Sequence, residues 1–394
     1  MTTKPRIIVG LSGGVDSAVT AALLLERGWD VVGVTLRLQP CGGTADRQSC
    51  CGTDGVAQAR AVAGQLGIPH YVVDCHEQFT ESVLRRCWED YASGRTPNPC
   101  VLCNRHVKFG HLLEFGRTLG AEKVATGHYA RLLPDADGRI RLHRGVDRNK
   151  DQSYFLAALT PEQLAAAEMP LGSFTKEEVR RLAKERGFVN AERRESQDIC
   201  FAVDEGGFAE YLRRLFNGTA RPGVAVDGEG RVVGTHGGVH LFTVGQRKGT
   251  GIAMGKPAWV REIRADSATV VMTTDGRDLE SAGLLAEAVN WHGAPPPEGA
   301  EFPCEVQARY RQQPIPAFIT PGPGGRAAVR FAHPVKAVTP GQAAVFYQDD
   351  LLLGGGWILH GEPLAAAPKS RGASARAGRR EAGRGAPCNR RPGR

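Results

Sequence analysis

Long hydrophobic runs are absent from this sequence, although 41% of its 394 residues are apolar. No stretch approaches the ~20 consecutive apolar residues that a membrane-spanning helix needs, so we predict no membrane partner. The chain enters a predicted strand almost at once and shows no secretory leader. We therefore expect a cytoplasmic protein whose ten cysteines are reduced and available for chemistry.

Net charge is also scarce outside the C-terminus. The chain carries +8, but residues 368–394 contain nine Lys or Arg and one Glu, so the remainder is close to neutral. Bulk charge therefore gives no support for nucleic-acid binding by the folded part of the chain. The segment 365–394 is rich in Arg, Gly, Ala and Pro and is predicted to be disordered. It is either a non-specific RNA arm or a dispensable extension.

A complete zinc motif is missing as well. Cys41, Cys50 and Cys51 share one polar, glycine-containing loop. No CxxC or His pair near them completes a four-ligand set, so we predict no metal site in this loop.

The glycine-rich loop near the N-terminus has neither the lysine nor the spacing of a Walker A motif. The loop Ser12–Ser17 (SGGVDS) follows a β-branched run and opens an Ala- and Leu-rich helix. Unpaired N–H groups and the helix dipole make such a helix start a phosphate site. Gly13 and Gly14 allow the backbone to approach a phosphate closely. Asp16 could orient the loop or help to hold Mg²⁺.

Predicted strands and helices alternate over the first 130 residues, which indicates βαβ units and a parallel, Rossmann-like sheet. The carboxyl ends of such strands share one edge, so the loop Ser12–Ser17, Leu36 and Gly127-His128 should lie together. Turn-rich β sequence follows and predicts a small central domain and a C-terminal β-barrel. The expected domains are 1–206, 207–283 and 284–364, followed by the tail 365–394.

Two further stretches contain cysteines that could do chemistry. Cys100 and Cys103 form a CxxC near the start of a helix predicted to include Val107–Leu119, where the helix dipole and nearby basic side chains would lower a thiol pKa. The pair is also compatible with a metal site or with inert buried thiols. Cys200 follows a polar turn, and by itself it is a weak signal.

Several segments together resemble one family, the bacterial tRNA-specific 2-thiouridylases of the ATP pyrophosphatase superfamily. The matching segments are SGGVDS, GRTPNPCVLCN with KFG, DQSYFL, SQDICF, VGQRKG and RYRQ with TPGQAAVFY, which span about residues 5–360. The resemblance implies that ATP adenylates the C2 oxygen of wobble uridine U34 in tRNAs for Lys, Glu and Gln. Sulfur then arrives from a cysteine desulfurase, directly or through a relay protein, and 2-thiouridine, AMP and pyrophosphate are formed.

The same resemblance assigns roles to individual residues. Cys200 would carry a persulfide, and Cys103 would attack it and form a Cys103–Cys200 disulfide as sulfur moves to C2. The implied ATP contacts are Gly10, Leu11, Ser12, Gly13, Gly14, Val15, Asp16, Ser17, Leu36 and Gly127. The residues implied to border the target base are Asn98, Pro99 and Cys100. The implied tRNA contacts are His128, Lys150, Asp151, Gln152, Arg309, Tyr310 and Gln342.

One position departs from the family pattern, because well-known relatives have an Asp where this chain has Cys100, and that Asp is proposed as a general acid or base. Three other functions stay open at this point. Cys100, Cys103 and Cys200 could hold an iron–sulfur cluster in a cluster-dependent tRNA thiolase. The chain could be another adenylating synthetase with the same loop, or an RNA-binding protein with a vestigial nucleotide loop.

Overall fold

The computed structural model describes residues 4–39, 53–193 and 206–364. The described residues between 4 and 364 form one compact unit. Within the described ranges, no helix is both long and apolar enough to cross a bilayer.

The first part of the chain forms a five-stranded sheet, the helices that cover it and a separate hairpin, β5–β6. The strands of this part of the chain, in order, are β1 Arg6–Gly10, β2 Asp30–Arg37, β3 His70–Asp74, β4 Lys123–Ala125, β5 Ala130–Pro134, β6 Ile140–Arg144 and β7 Ala167–Glu168. Its helices are α1 Val15–Glu26, α2 Thr53–Leu66, α3 (76–92), α4 (99–118), α5 Pro161–Ala165 and α6 Lys176–Glu185, with short 3₁₀ turns at Ser153–Leu156 and Pro170–Ser173. The sheet is parallel, in the order β3-β2-β1-β4-β7.

Both faces of β1, the central strand of this sheet, are buried, as its continuous apolar run predicts. Ile7 and Val9 pack with α1 and α2, whereas Ile8, on the other face, packs with Leu112 of α4. The predicted parallel, Rossmann-like sheet is therefore confirmed. It places the ends of β1, β2 and β4 along one edge.

Helix α4 begins at Pro99, in agreement with the prediction that Cys100 and Cys103 lie near the start of a helix. Proline occupies the first helical position, and Asn98 caps the helix by accepting a hydrogen bond from Val101 N (3.3 Å). Both Cys100 and Cys103 thus lie in its first turns. The helix widens to π-type hydrogen bonding over Asn104–His111, a distortion often found at functional sites.

A central domain and a barrel complete the fold. The central domain contains α7 Phe208–Leu215 and the strands β8 Gly223–Val226, β9 Val232–His236, β10 Trp259–Arg264 and β11 Thr269–Thr273, with a 3₁₀ turn at Val239–Leu241. The barrel strands are β12 Glu280–Trp291, β13 Phe302–Gln307, β14 Ile315–Gly322, β15 Arg326–Lys336, β16 Ala343–Gln348 and β17 Leu351–Pro363, with 3₁₀ turns at Gly276–Leu279 and Pro323–Gly325. The pairing of β12 with β17 closes a six-stranded antiparallel barrel, which confirms the predicted architecture.

The barrel and the first part of the chain share an apolar core. The hairpin β5–β6 extends the barrel's sheet by pairing with β17, where His143 faces Leu351. Leu142 and Tyr154 pack with Tyr347 and Leu352 of the barrel in one buried cluster. The barrel is therefore built into the first part of the chain and positions the segments around the cavity described below.

Candidate active site

A cavity of about 250 Å³ lies at the carboxyl edge of the parallel sheet. It is lined by residues from the glycine loop, from β2, from α4 and from the segment after β4. Among those lining residues are Gly10, Leu11, Ser12, Asp16, Ser17, Thr35, Leu36, Cys103, Lys108, Gly127, His128 and Gln152. The structure thus brings most of the predicted ATP contacts together and sets one of the two candidate thiols beside them.

The predicted contacts Gly13, Gly14 and Val15 do not line the cavity but shape its loop. Gly13 has φ +73°, and a Cβ there would lie 2.4 Å from the Gly55 carbonyl oxygen, so this position requires glycine. Its own carbonyl accepts from Asn190 Nδ2 at 3.0 Å and Arg193 Nη1 at 3.1 Å. The Val15 side chain is buried in the core.

Asp16 connects the glycine loop to two residues that are distant in sequence, Tyr129 and Lys176. Its two carboxylate oxygens lie 2.7 and 2.8 Å from Lys176 Nζ, and the Tyr129 hydroxyl donates to Oδ1 at 2.8 Å. Sequence reasoning gave α6, which starts at Lys176, only a structural role. Nothing in the local sequence links Lys176 with Asp16, because the contact exists only when α6 packs on α1.

Two basic groups of the cavity differ in charge. Lys108, on the π-type segment of α4, lines the cavity and supplies a cation that the glycine loop lacks. His128 is buried and its Nδ1 lies 2.7 Å from Thr126 Oγ1. Burial, and next the positive charge of Lys108, hold the pKa of His128 well below its ordinary value of 6.5. At neutral pH this imidazole is uncharged and can act only through hydrogen bonds.

The candidate thiols fall into two environments. Cys103 is only 4% exposed and lines the cavity, whereas the preceding Cys100 is half-buried and does not line it. Burial raises the pKa of Cys87, on the neighbouring helix α3, far above its usual value, and raises that of Cys75, just before α3, to about 12, so both are protonated thiols at neutral pH. Cys200 lies outside the described residues.

Metal ligands do not cluster in the part of the chain that the structure describes. No group of three or more His, Cys, Asp or Glu side chains there is arranged to hold a metal ion. The cysteine-rich loop with Cys41, Cys50 and Cys51 also lies outside the described residues.

The predicted tRNA contacts near β6 are partly engaged inside the protein. Gln152 lines the cavity, and its Oε1 accepts from Tyr129 N at 3.1 Å. The Asp151 carboxylate accepts from Gly145 N and Ser153 N and pairs with Arg144, with both side chains less than a tenth exposed. Lys150 is half-buried beside it.

The remaining predicted tRNA contacts lie on two loops of the barrel. Arg309 donates to the Val244 carbonyl at 3.0 Å. Tyr310 packs on Phe155 with ring centroids 4.2 Å apart. Gln342 donates to the carbonyls of Thr96 and Pro97, and Pro97 is two residues before the helix that bears Cys103. None of these three lines the cavity, but Gln342 holds the segment that leads into it.

The fold and the cavity define a class of protein, an α/β enzyme with a glycine loop and a thiol in one cavity at the sheet edge and with two appended β domains. Residues 5–204 match the family model described as tRNA methyl transferase HUP domain. Residues 210–274 match tRNA methyl transferase PRC-barrel domain, and 281–358 match aminomethyltransferase beta-barrel domain.

Relatives of similar length define the family. A protein of Geotalea uraniireducens named tRNA-specific 2-thiouridylase MnmA is 47% identical over 363 residues, covering 91% of this chain and 96% of that protein. One of Heliobacterium modesticaldum with the same name is 45% identical over 362 residues, covering 90% and 93%. The chain belongs to the tRNA-specific 2-thiouridylase family.

Solved structures with weaker similarity include a 4-thiouridine synthetase–RNA complex with bound ATP. It has 19% identity and a TM-score of 0.33, and the match covers 54% of this chain and 50% of that one. An NMN synthetase from Francisella tularensis has 18% identity and a TM-score of 0.31, covering 55% and 78%.

Proposed function

We propose that this chain is a tRNA-specific 2-thiouridylase that uses ATP to activate a uridine of tRNA and a cysteine-borne sulfur to thiolate it. The observation that carries the proposal is the presence of Cys103 in the same cavity as the glycine loop. A uracil carbonyl reacts poorly with sulfur because its oxygen is a poor leaving group. Adenylation converts that oxygen into a good leaving group, so one cavity needs both a phosphate loop and a thiol.

The loop and its basic neighbours would bind the triphosphate. Ser12, Asp16 and Ser17 line the cavity around the start of α1, where backbone N–H groups would bind phosphate, and Lys108 adds positive charge. Mg²⁺ would enter with ATP and be held mainly by phosphate oxygens. Asp16, the one carboxylate among the described lining residues, already has both oxygens on Lys176.

Sulfur transfer would follow adenylation. The Cys103 thiolate attacks the inner sulfur of a Cys200 persulfide, and the outer sulfur leaves as hydrosulfide. Hydrosulfide attacks C2, AMP departs with the C2 oxygen, and 2-thiouridine remains. The Cys103–Cys200 disulfide then takes two electrons from an external thiol reductant before the next turnover. His128, uncharged in the cavity, can donate or accept one hydrogen bond to the reacting base.

The partners follow from this reaction. We propose U34 of the tRNAs for Lys, Glu and Gln as the substrate and a cysteine desulfurase or relay protein as the sulfur source. The central domain offers an RNA surface, an open groove lined by Arg247, Lys248 and Lys256. Among the described residues these three cations have no ion-pair partner, unlike Arg231 and Arg264 on the same sheet.

Mass spectrometry of wobble nucleosides tests the function. Unmodified tRNA is incubated with the protein, ATP, Mg²⁺ and a persulfide source, and 2-thiouridine is expected only in the complete mixture. Neither Ser12 nor Ser17 is a predicted tRNA contact, so a Ser12→Ala, Ser17→Ala variant should lose ATP binding and keep tRNA binding. Pyrophosphate release without any thiolated nucleoside would instead indicate another adenylating synthetase.

The iron–sulfur alternative is tested in the same reaction. Cys100 and Cys103 lie one helical turn apart, which is a spacing that a cluster can use. Protein purified without oxygen is assayed for iron and sulfide before and after chelation. Activity that is unaffected by chelation supports the persulfide route, whereas activity that requires a stoichiometric cluster contradicts it.

A further inference from the structure

The segment 95–98 connects α3 to the helix that carries Cys103, and it is held from several sides. Arg95 pairs with Asp90 at 2.7 Å and lies 3.5 Å from Glu287 of the barrel. Thr96 Oγ1 donates to Thr243 Oγ1 of the central domain at 3.1 Å. The first part of the chain, the central domain and the barrel thus meet at this segment.

The barrel turn 339–342 contacts the backbone of this segment. Thr96 N donates to the Pro340 carbonyl at 2.8 Å. Gln342 Nε2 donates to the carbonyls of Thr96 and Pro97, both at 3.0 Å. Gly341 has φ +87°, and a Cβ there would lie 2.8 Å from Thr96 O and 2.9 Å from Thr96 N. The turn therefore packs closely against the backbone of the segment, and the side-chain N–H groups of Gln342 are used in hydrogen bonds to it.

A short rigid path leads from this contact to the thiol. Pro97 and Pro99 restrict the backbone on either side of Asn98, whose side chain caps α4. Asn98 also contacts the Tyr154 hydroxyl, which donates to the Ala343 carbonyl next to Gln342. Cys103 lies about 6 Å along the helix from Pro99, at 1.5 Å per residue. A shift of the segment therefore moves the thiol within the cavity.

We propose that Gln342 is a positioning residue, which holds the carbonyls of Thr96 and Pro97 and thereby sets the first turn of α4, with Cys103 in the cavity and Cys100 beside it on the same helix. The expected effect of Gln342 on catalysis rests on the proposed function, whereas its expected effect on the position of the thiol does not. The same contact would also link the barrel to the thiol. If RNA binding moves the turn 339–342, the segment 95–98 and the helix that carries Cys103 should move with it.

The test measures thiol reactivity separately from catalysis. Iodoacetamide labelling of Cys100 and Cys103 is followed by peptide mass spectrometry in the wild type, Gln342→Ala, Gln342→Glu and Gln348→Ala. Gln348 lies at the far end of β16, the strand that follows Gln342, is exposed and has no side-chain hydrogen bond to any described residue, so it is the matched control. A carboxylate cannot donate to two carbonyls, so Gln342→Glu should behave like Gln342→Ala.

We expect both Gln342 variants, and not Gln348→Ala, to change the labelling rate by about threefold or more. With tRNA and ATP, kcat should fall about tenfold or more while the tRNA KM stays close to that of the wild type. Unchanged labelling overturns the inference, most clearly if the tRNA KM rises, because Gln342 would then act as a direct RNA contact. If labelling changes in the Gln342 variants but the wild-type protein makes no 2-thiouridine, the inference is supported and the proposed function is contradicted.

Discussion

At the scale of single residues, the glycine loop depends on partners that are far away in sequence. Asp16 holds Lys176 and Tyr129, and the Gly13 carbonyl holds Asn190 and Arg193. The motif Ser12–Ser17 predicted where phosphate should bind, because its glycines and helix start are local features. Its partners could not be predicted, because they meet the loop only through the packing of helices distant in the chain.

The Asp16–Lys176 pair should matter for both stability and nucleotide binding. Lys176→Met leaves a mostly buried carboxylate without its cation, and we expect the free energy of unfolding to fall by about 1–2 kcal/mol and ATP binding to weaken. Urea denaturation and calorimetric titration measure the two effects. Lys184→Met on the same helix breaks an exposed pair with Glu192 and should change stability by less than about 0.5 kcal/mol. Equal effects of the two substitutions would contradict the assignment.

His292 makes the stability depend on pH. Its Nε2 donates to the Ala157 carbonyl at 3.0 Å, and burial lowers its pKa from 6.5 to about 4. Below pH 6.5 the unfolded chain binds the proton and the folded chain does not, so this contribution to stability falls as pH drops towards 4. The loss approaches about 1.4 kcal/mol per pH unit. His292→Gln should flatten that slope in denaturant titrations, while the exposed His333→Gln should leave it unchanged.

At the scale of elements, the sequence predicted types better than boundaries. The parallel sheet and the C-terminal β-barrel are confirmed. The start of α4 is also close to its prediction, because Pro99 fits the first helical position just before Cys100. The predicted boundary at 283/284, in contrast, falls within β12, which extends from Glu280 to Trp291.

Asn98 has two roles that can be tested separately, because it caps α4 and is also predicted to contact the target base. Asn98→Ala removes the acceptor for Val101 N and should cost about 1 kcal/mol. Asn98→Asp keeps an oxygen acceptor and should retain most of that stability. If the amide of Asn98 contacts the base, thiolation should be lost in both variants, and thermal denaturation with a thiolation assay distinguishes the two effects. Equal loss of stability in both variants would contradict the capping role.

At the scale of the whole molecule, the barrel and the first part of the chain act as one body. The hairpin β5–β6 lies in the barrel's sheet, and Arg131 and Arg148 both pair with Asp350. This arrangement explains the basic stretch Arg139–Lys150, much of which is neutralised internally. No pattern in the sequence showed it, because strand pairing across 200 residues leaves no local signal.

The groove of the central domain should contribute electrostatic RNA affinity. Replacing Arg247, Lys248 and Lys256 with Ala should weaken tRNA binding and reduce the slope of log affinity against log salt by about 2–3, roughly one per lost phosphate contact. Fluorescence anisotropy at several salt concentrations gives the slope. Arg231→Ala with Arg264→Ala removes two paired cations from the same sheet and is the control. An unchanged slope in the triple variant would exclude the groove from the RNA interface.

The proposed function requires that ATP activates the base and that Cys103 completes the delivery of sulfur in one cavity. The most direct test measures tRNA-dependent pyrophosphate release and 2-thiouridine in the same reaction with Cys103→Ser, with Cys304→Ser, in the barrel, as the matched control. For Cys103→Ser alone, we expect pyrophosphate release to stay within about threefold of the wild type and the yield of 2-thiouridine to fall by about a hundredfold or more. Full thiolation by Cys103→Ser would contradict it.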